Sequence, residues 1–385
     1  LELLTEDSIN HFCDIWTPDN EYVLFGCGYV LESFWGYIST HKIKYIIDSN
    51  PDLQNQTKNG IKIYSPAHYF EHDRGTKVIV SAGVMSIIDF LTESGLQEDI
   101  EFTTIFRFYQ INCFSKSILA VFEACIMANT VCTLKCYSCS NNIPSFQKGT
   151  IRSTQEIIED IDTYFAIVDR TILFRIAGGE PLLHPELSKI LNHIGKFYRD
   201  KCNTVEVVTN GTLVPSLSVI TACKEYEISF FISDYSAVIS QKYPIEDVEA
   251  ILKQHQVSTY RNVCYQNDNS WSNLGNPNII QSLSNEQLRQ RFTYCKSGYL
   301  GWCRHVYKNR FYYCGTGVSM NMAGIGHFVE SDSVALNSSF YAQKLKILSF
   351  DLGYIPNGYL STCQRCDGFG GTNDKFVNAG TQIHP

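Results

Sequence analysis

Apolar and polar positions follow two rhythms along the first two-thirds of the chain, one of short unbroken apolar runs and one of amphipathic stretches. In "EYVLFGCGYVLESFWGYISTHKIKYIIDSNP" (21–51) an apolar run, a glycine turn, an amphipathic segment and a second apolar run predict strand, turn, helix and strand. "KVIVSAG" and "VMSIIDFLTESGL" repeat the pattern, so residues 20 to about 108 read as a small parallel α/β unit. "YQINCFSKS" then breaks the rhythm and is expected to be a linker. From about residue 118 a second series begins with "ILAVFEACIMANT". A helix near 154–168, "TILFRIAGGEP", a helix near 185–199, "VEVVTNGTL", "EISFFIS", a helix near 245–255 and "VSTYR" follow. Alternation of this kind predicts a parallel sheet whose strand ends carry the functional loops. The last third is poorer in helix signal and richer in aromatic residues, Gly and Cys, and the chain shows no internal repeat.

With 385 residues, 44% of them apolar and 18% charged, the chain can bury a large core and is expected to form two or three domains. A net charge of −8 argues against nucleic acid or an anionic membrane as partner. No apolar run is long enough to span a membrane and no signal peptide is evident, so a cytoplasmic protein acting on a small molecule is expected. The chain begins with Leu rather than Met, which leaves room for an upstream segment.

Fifteen cysteines in a chain with no secretion signal favour metal ligation over a disulfide framework. Seven are scattered singly and read as small buried hydrophobes. The rest form two groups. Cys132, Cys136 and Cys139, in "VCTLKCYSC", follow directly on an apolar strand and so lie on the loop at its C-terminal end. Three thiolates do not complete a structural zinc site, whereas a four-iron cluster held by three cysteines keeps one iron open for another ligand.

This motif resembles the signature of the radical S-adenosylmethionine (radical SAM) superfamily. The resemblance implies a partial (β/α)6 barrel, a 4Fe-4S cluster on Cys132, Cys136 and Cys139, and S-adenosyl-L-methionine chelated at the open iron. It also implies reductive cleavage of that cofactor to a 5′-deoxyadenosyl radical and a reductant such as flavodoxin or ferredoxin. In such enzymes the cofactor carries the chemistry and the protein supplies orientation. "GGEP" (Gly178, Gly179, Glu180 and Pro181) ends the second strand of this series, where the family contacts the amino group of the cofactor; Glu180 is suited to an ammonium. "TNGT" ends the third, where Thr209 and Asn210 offer polar groups to the ribose or carboxylate. Before the third cysteine, where the family usually has an aromatic residue, stands Ser138, with Tyr137 one place earlier. Either Tyr137 or other groups hold the adenine. The resemblance covers residues 118 to about 265.

Cys295, Cys303, Cys314, Cys363 and Cys366 make up the second group. The close pair Cys363 and Cys366 can reach one metal. The group resembles the SPASM or twitch extension of radical SAM enzymes, which implies a second, auxiliary 4Fe-4S cluster. The resemblance implies Cys314, Cys363 and Cys366 as three of its ligands. Cys303 is preferred over Cys295 for the fourth, in a hairpin with Asn309 and Arg310 at its turn; a structural zinc is the alternative.

Near the N-terminus, Gly26 and Gly28 lie between strand and helix, and Asp48 stands twenty residues beyond Gly28. This resembles a dinucleotide fingerprint without its third glycine, Leu31 being there, and looks more like the small nucleotide-sugar domain of some sugar acyltransferases. Arg175, His184 and Arg261, near predicted strand ends, are expected to be satisfied or solvated. The fold expected is therefore α/β in three parts. They are a Rossmann-like sheet over 1–112, a partial TIM barrel over 113–285, and a β-hairpin plus helix over 286–385. The function expected is hydrogen abstraction from a sugar or nucleotide-linked metabolite. A peptide-modifying enzyme, and a non-catalytic zinc or redox-sensing metalloprotein, are the alternatives.

Overall fold

The computed structural model describes residues 4–239, 244–264, 271–299 and 301–383. The chain divides into two compact units, one running to Ala120 and one starting at Val121.

In the first unit, helix α1 (Glu6–Ile15), capped by Thr5, precedes an alternation of strands and helices: β1 (Glu21–Phe25), α2 (Tyr29–Ile38), β2 (Lys42–Ile47), β3 (Thr57–Lys58), β4 (Ile61–Tyr64), α3 (Pro66–His72), β5 (Lys77–Val80), α4 (Met85–Glu93), β6 (Phe102–Thr104) and α5 (Ile105–Phe114). The sheet order is β3-β4-β2-β1-β5-β6, with β3 antiparallel and the other pairs parallel. The order reverses between β1 and β5, as in doubly wound folds. β1 and β5 bury nearly every side chain because helices cover both faces. The stretch expected to be a linker is largely α5, whose buried Phe106, Phe108 and Ile111 give it a core role rather than a flexible one.

The second unit continues with β7 (Ala120–Met127), α6 (Thr154–Phe165), β8 (Arg170–Ala177), α7 (Leu187–Tyr198), β9 (Cys202–Thr209), α8 (Leu217–Glu225), β10 (Ser229–Asp234), α9 (Ile245–Gln254) and β11 (Thr259–Val263). The elements β12 (Trp271–Ser272), α10 (Asn285–Tyr294), α11 (Lys296–Tyr299), β13 (His305–Tyr307), β14 (Arg310–Tyr312), α12 (Gly315–Met322), β15 (Ser333–Ala335), α13 (Tyr341–Asp351) and β16 (Phe376–Val377) complete it. One eight-stranded sheet, β11-β10-β9-β8-β7-β13-β14-β15, runs through this unit and stays open. The strands β8 to β11 pair in parallel, and β13 lies parallel to β7 on its other side. The hairpin β13–β14 thereby shares the barrel sheet, although the sequence suggested a separate part from residue 286. Its turn is Lys308–Asn309, one place earlier than expected, with both residues left-handed (φ 49° and 55°). Buried Asp160 on α6 accepts from both turn amides and pairs with Arg152, which holds the hairpin without a glycine.

Periodicity does not announce α8, and where the sequence suggests one helix beside the hairpin the chain forms α10, α12 and α13. Ser216 and Ser284 cap α8 and α10, and the capping box Ser284–Gln287 was a readable signal for the latter. No helix among the described residues is long and apolar enough to cross a membrane.

Candidate active site

β7 enters the core with all eight residues buried, and the chain leaves its C-terminal end in the loop that carries Cys132, Cys136 and Cys139. That loop is fixed against the end of β8 by backbone bonds: Gly179 N donates to Asn129 O (2.9 Å) and Glu180 N to Val131 O (2.8 Å). Two main chains approach so closely that a Cβ on Gly178 would stand 2.5 Å from Asn129 O, and one on Gly179 only 2.0 Å from Val131 O. The glycine pair is therefore a packing requirement of the loop.

Glu180, expected to meet an ammonium, is wholly buried, and its carboxylate is engaged elsewhere. It accepts from Leu182 N (3.1 Å), Thr209 Oγ1 (2.9 Å) and Asn210 N (2.8 Å), tying the end of β8 to that of β9. Burial pushes its carboxyl up to about 7 against the pull of these hydrogen bonds. Asn210 carries the linkage onward: its Nδ2 donates to Thr133 Oγ1 (3.0 Å) and lies 3.5 Å from Cys132 Sγ, which also accepts from Leu134 N. Thr209 faces Glu180 rather than open space, and Pro181 is buried.

Tyr137 is exposed, its hydroxyl 3.5 Å from Asn273 Nδ2. Ser138, with φ 60°, accepts from Leu274 N (2.7 Å) and donates to Ser272 O (3.0 Å), so the position expected to be aromatic pins the loop to β12. Burial raises all three thiols, Cys132 to about 11 and Cys136 to about 12, with the charge of neighbouring cysteines adding to the shift for both. Three neighbouring thiols, one buried and two half-buried, become stable thiolates only beside compensating positive charge, which a bound iron cluster would supply. The donor set fits such a group.

In the second group, Cys295, Cys314, Cys363 and Cys366 line one cavity together with Phe292 and Phe369. Backbone N–H groups reach three of these sulfurs: Gly317 N to Cys314 (3.2 Å), Gly368 N to Cys366 (3.3 Å) and Phe369 N to Cys295 (3.4 Å). Cys303, preferred from its spacing, does not line the cavity. In a left-handed conformation (φ 62°), its thiol is pushed up to about 12 by burial, and the charges it feels most are those of Glu123 and Arg175. The sulfur geometry therefore brings Cys295 to the other three. No three His, Cys, Asp or Glu side chains among the described residues converge tightly enough for one metal ion, and a four-iron cluster asks for a wider spread of sulfurs.

In the N-terminal unit, Asp48 is engaged by the loop it was expected to help bind a ribose from. Its Oδ2 accepts from Cys27 N (3.1 Å) and Cys27 Sγ (3.2 Å), its Oδ1 from Asn50 N. Gly26 has φ 103°, and a Cβ there would stand 2.6 Å from Ala82 Cβ; Gly28 caps α2 with free space around it.

Charges on the barrel strands are paired. Arg175 on β8 bridges Glu123 of β7 (3.3 Å) and Glu206 of β9 (3.0 Å), and Arg261 bridges Asp234 and Glu249. The His184 ring lies 2.9 Å from Arg152 O and takes the Glu186 amide on its other nitrogen. Sequence patterns had not singled out Glu123, Glu206 or Gln382. Each sits among residues far away in the chain, so no local signal marks it.

Residues 127–233 match the family described as the Radical SAM superfamily. A stretch of 83 residues is 32% identical to a protein of Methanococcus maripaludis named "Probable GTP 3′,8-cyclase"; the match covers 22% of this chain and 26% of that relative. The chain thus matches about a quarter of the length of this curated relative. Among solved structures, BtrN in complex with AdoMet and 2-DOIA aligns with a TM-score of 0.40 at 13% identity, over 67% of this chain and 97% of that one. Native anSMEcpe with bound AdoMet aligns with a TM-score of 0.39 at 13% identity, over 68% and 93%. SuiB of Streptococcus suis bound to precursor peptide SuiA gives 0.30 at 15%, over 53% and 47%. With Cys132, Cys136 and Cys139 on the loop just inside the matched segment, residues 127–233 of the chain form a radical SAM domain, a kind of domain whose cofactors are a 4Fe-4S cluster and S-adenosyl-L-methionine.

Proposed function

We propose that the protein binds its reactive 4Fe-4S cluster through Cys132, Cys136 and Cys139 and abstracts hydrogen from a small substrate that is a sugar or nucleotide-linked metabolite. The observation that carries the cluster assignment is the loop itself: three cysteines, Cys136 buried and Cys132 and Cys139 half-buried, on a loop held at the end of β7 by main-chain bonds to Gly179 and Glu180. The bound cluster and S-adenosyl-L-methionine supply reductive cleavage and the hydrogen-abstracting radical, with electrons from a low-potential donor such as flavodoxin or ferredoxin. The protein's own part is positional. Glu180 locks the strand ends together, Asn210 orients the sulfur of Cys132, and Ser138 fixes the loop to β12. Tyr137, exposed directly after the second cysteine, is assigned to the adenine.

The four-cysteine cavity is assigned to an auxiliary 4Fe-4S cluster on Cys295, Cys314, Cys363 and Cys366. Full ligation by cysteine leaves no open iron, which favours electron acceptance or a structural role over substrate binding. The substrate class rests on the N-terminal unit, where the strand order reverses between β1 and β5 and Gly26 to Gly28 join the end of β1 to the start of α2.

The test is anaerobic purification with iron and sulfide analysis, then incubation with reductant and S-adenosyl-L-methionine. Release of 5′-deoxyadenosine, lost in Cys132→Ala, Cys136→Ala and Cys139→Ala, is expected. Zinc without labile sulfide refutes the cluster assignment. The substrate class is tested separately by calorimetry with nucleotide sugars: saturable binding that a substitution at Gly28 weakens supports it, and silence across the panel removes it.

A further inference from the structure

The cysteine loop has a second framework, contributed by a segment that follows it by more than two hundred residues. Segment 380–383 lies antiparallel to the loop: Tyr137 N donates to Thr381 O (2.7 Å) and Ile383 N to Lys135 O (2.7 Å), with Cys136 directly opposite Gln382. Within this pairing the Gln382 side chain turns onto the loop. Its Oε1 accepts from Lys135 N (2.7 Å), and its Nε2 donates to Gly380 O (2.6 Å) and to Cys136 Sγ (3.3 Å). The Lys135 amide fixes the orientation, because the reversed amide would set two N–H groups against each other.

The segment is itself anchored. β16 pairs with β12, Thr381 bonds back to Asn378 O, and Gly380 (φ 77°) passes so close to Tyr235 that a Cβ would stand 2.8 Å from that residue's Cβ. Tyr235 stacks on Trp271 at 5.4 Å. The amide that meets Cys136 is therefore held in place before any cluster binds.

We infer that Gln382 is a positioning residue for the reactive cluster: its N–H raises the cluster's reduction potential through Cys136 Sγ, and the strap formed by 380–383 keeps that donor in register. This rests on the proposed assignment of Cys136 as an iron ligand. The physical reason is charge. Reduction adds an electron to a cluster already bearing thiolate charge, and a hydrogen bond donated to a ligand sulfur stabilises the more negative state. The same bond limits water at that sulfur. Among the described residues, Cys136 is the one of the three cysteines whose sulfur meets a side-chain donor from outside the barrel strands and their loops.

The test is an EPR-monitored redox titration of the reconstituted full chain, wild type against Gln382→Leu and Gln382→Glu, at alkaline pH where the introduced carboxyl is ionised. The signal that S-adenosyl-L-methionine perturbs reports the reactive cluster, and the unperturbed signal serves as internal reference. Leu removes the donor. Glu keeps the acceptor for Lys135 N, and so the strap, while replacing the donor by negative charge. The midpoint of the reactive cluster is expected to fall from wild type to Leu and further to Glu, with iron content and the reference midpoint unchanged. A wild-type midpoint in Gln382→Glu with iron retained overturns the inference, whether or not the Leu variant holds its cluster. Absence of iron from the wild-type loop overturns it through the cluster assignment instead, and iron analysis distinguishes the two failures.

Discussion

Replacing Arg304 by methionine removes the centre of the framework around the four-cysteine cavity. Arg304 is fully buried, and every one of its nitrogens donates: Nε to Asp351 Oδ1 (2.5 Å), the other two to the carbonyls of Ser297 (2.6 Å), Trp302 (3.2 Å), Tyr313 (2.9 Å) and Asp351 (2.8 Å). Its guanidinium also lies 3.7 Å from the Tyr313 ring centre. One side chain thereby joins the segment after Cys295, the start of β13, and the residue before Cys314. Methionine fills much of the volume but strips the guanidinium from Asp351, a carboxylate with 2% of its side chain exposed. Breaking a buried pair in this way costs about 3–5 kcal/mol. Denaturant unfolding of the metal-free protein should show a loss of that size, and iron analysis a selective loss at the auxiliary site, since both flanking cysteines lose their support. Arg304→Lys should recover little, because a single ammonium cannot span the acceptors a planar fork reaches. Arg304→Met combined with Asp351→Leu should recover much of the loss, because the buried carboxylate that lost its guanidinium is gone as well. An Arg304→Met variant within about 1 kcal/mol of wild type, or a double variant no better than the single one, would refute the reasoning.

Cys295→Ala should cost about half of the bound iron, whereas Cys303→Ala should leave iron content unchanged; equal losses in the two would return Cys303 to the ligand set. Gly179→Ala drives a methyl into the Val131 carbonyl, 2.0 Å away, so roughly 3 kcal/mol of destabilisation and loss of the loop cluster are expected from unfolding and iron assays. Burial raises Glu180 from 4.5 to about 7, so its contribution to stability is complete below the lower value and disappears as pH rises through the upper. Metal-free wild type should lose about 3 kcal/mol across that window, and Glu180→Gln should lose this slope; identical pH profiles would refute the shift.

Part of this protein is encoded by neighbouring residues alone. The 132–136–139 spacing, the glycine pair before Glu180, and the strand–helix alternation through β11 need only a few residues each, and their patterns survive in any context that buries them. The ligand set proposed for the reactive cluster is local in the same sense, because one loop of eight residues presents all three thiols.

Whatever depends on which distant segments meet came from the folded chain. Cys303 and Cys295 are equally good cysteines in one dimension; the left-handed turn at Cys303 and the return of Cys363 and Cys366 separate them. Glu180 looked like an ion-pairing partner for a ligand, yet its acceptors are taken by the end of β9, thirty residues on. Asp48 likewise looked free and is spent on Cys27. The hairpin reads as part of a separate domain but completes the barrel sheet beside β7, because an open sheet edge with unpaired backbone groups is covered by whatever strand can reach it. Gln382, 246 residues from the sulfur it meets, has no pattern that could announce it. Hydrogen bonds and burial act through space, and a sequence records only order along the chain.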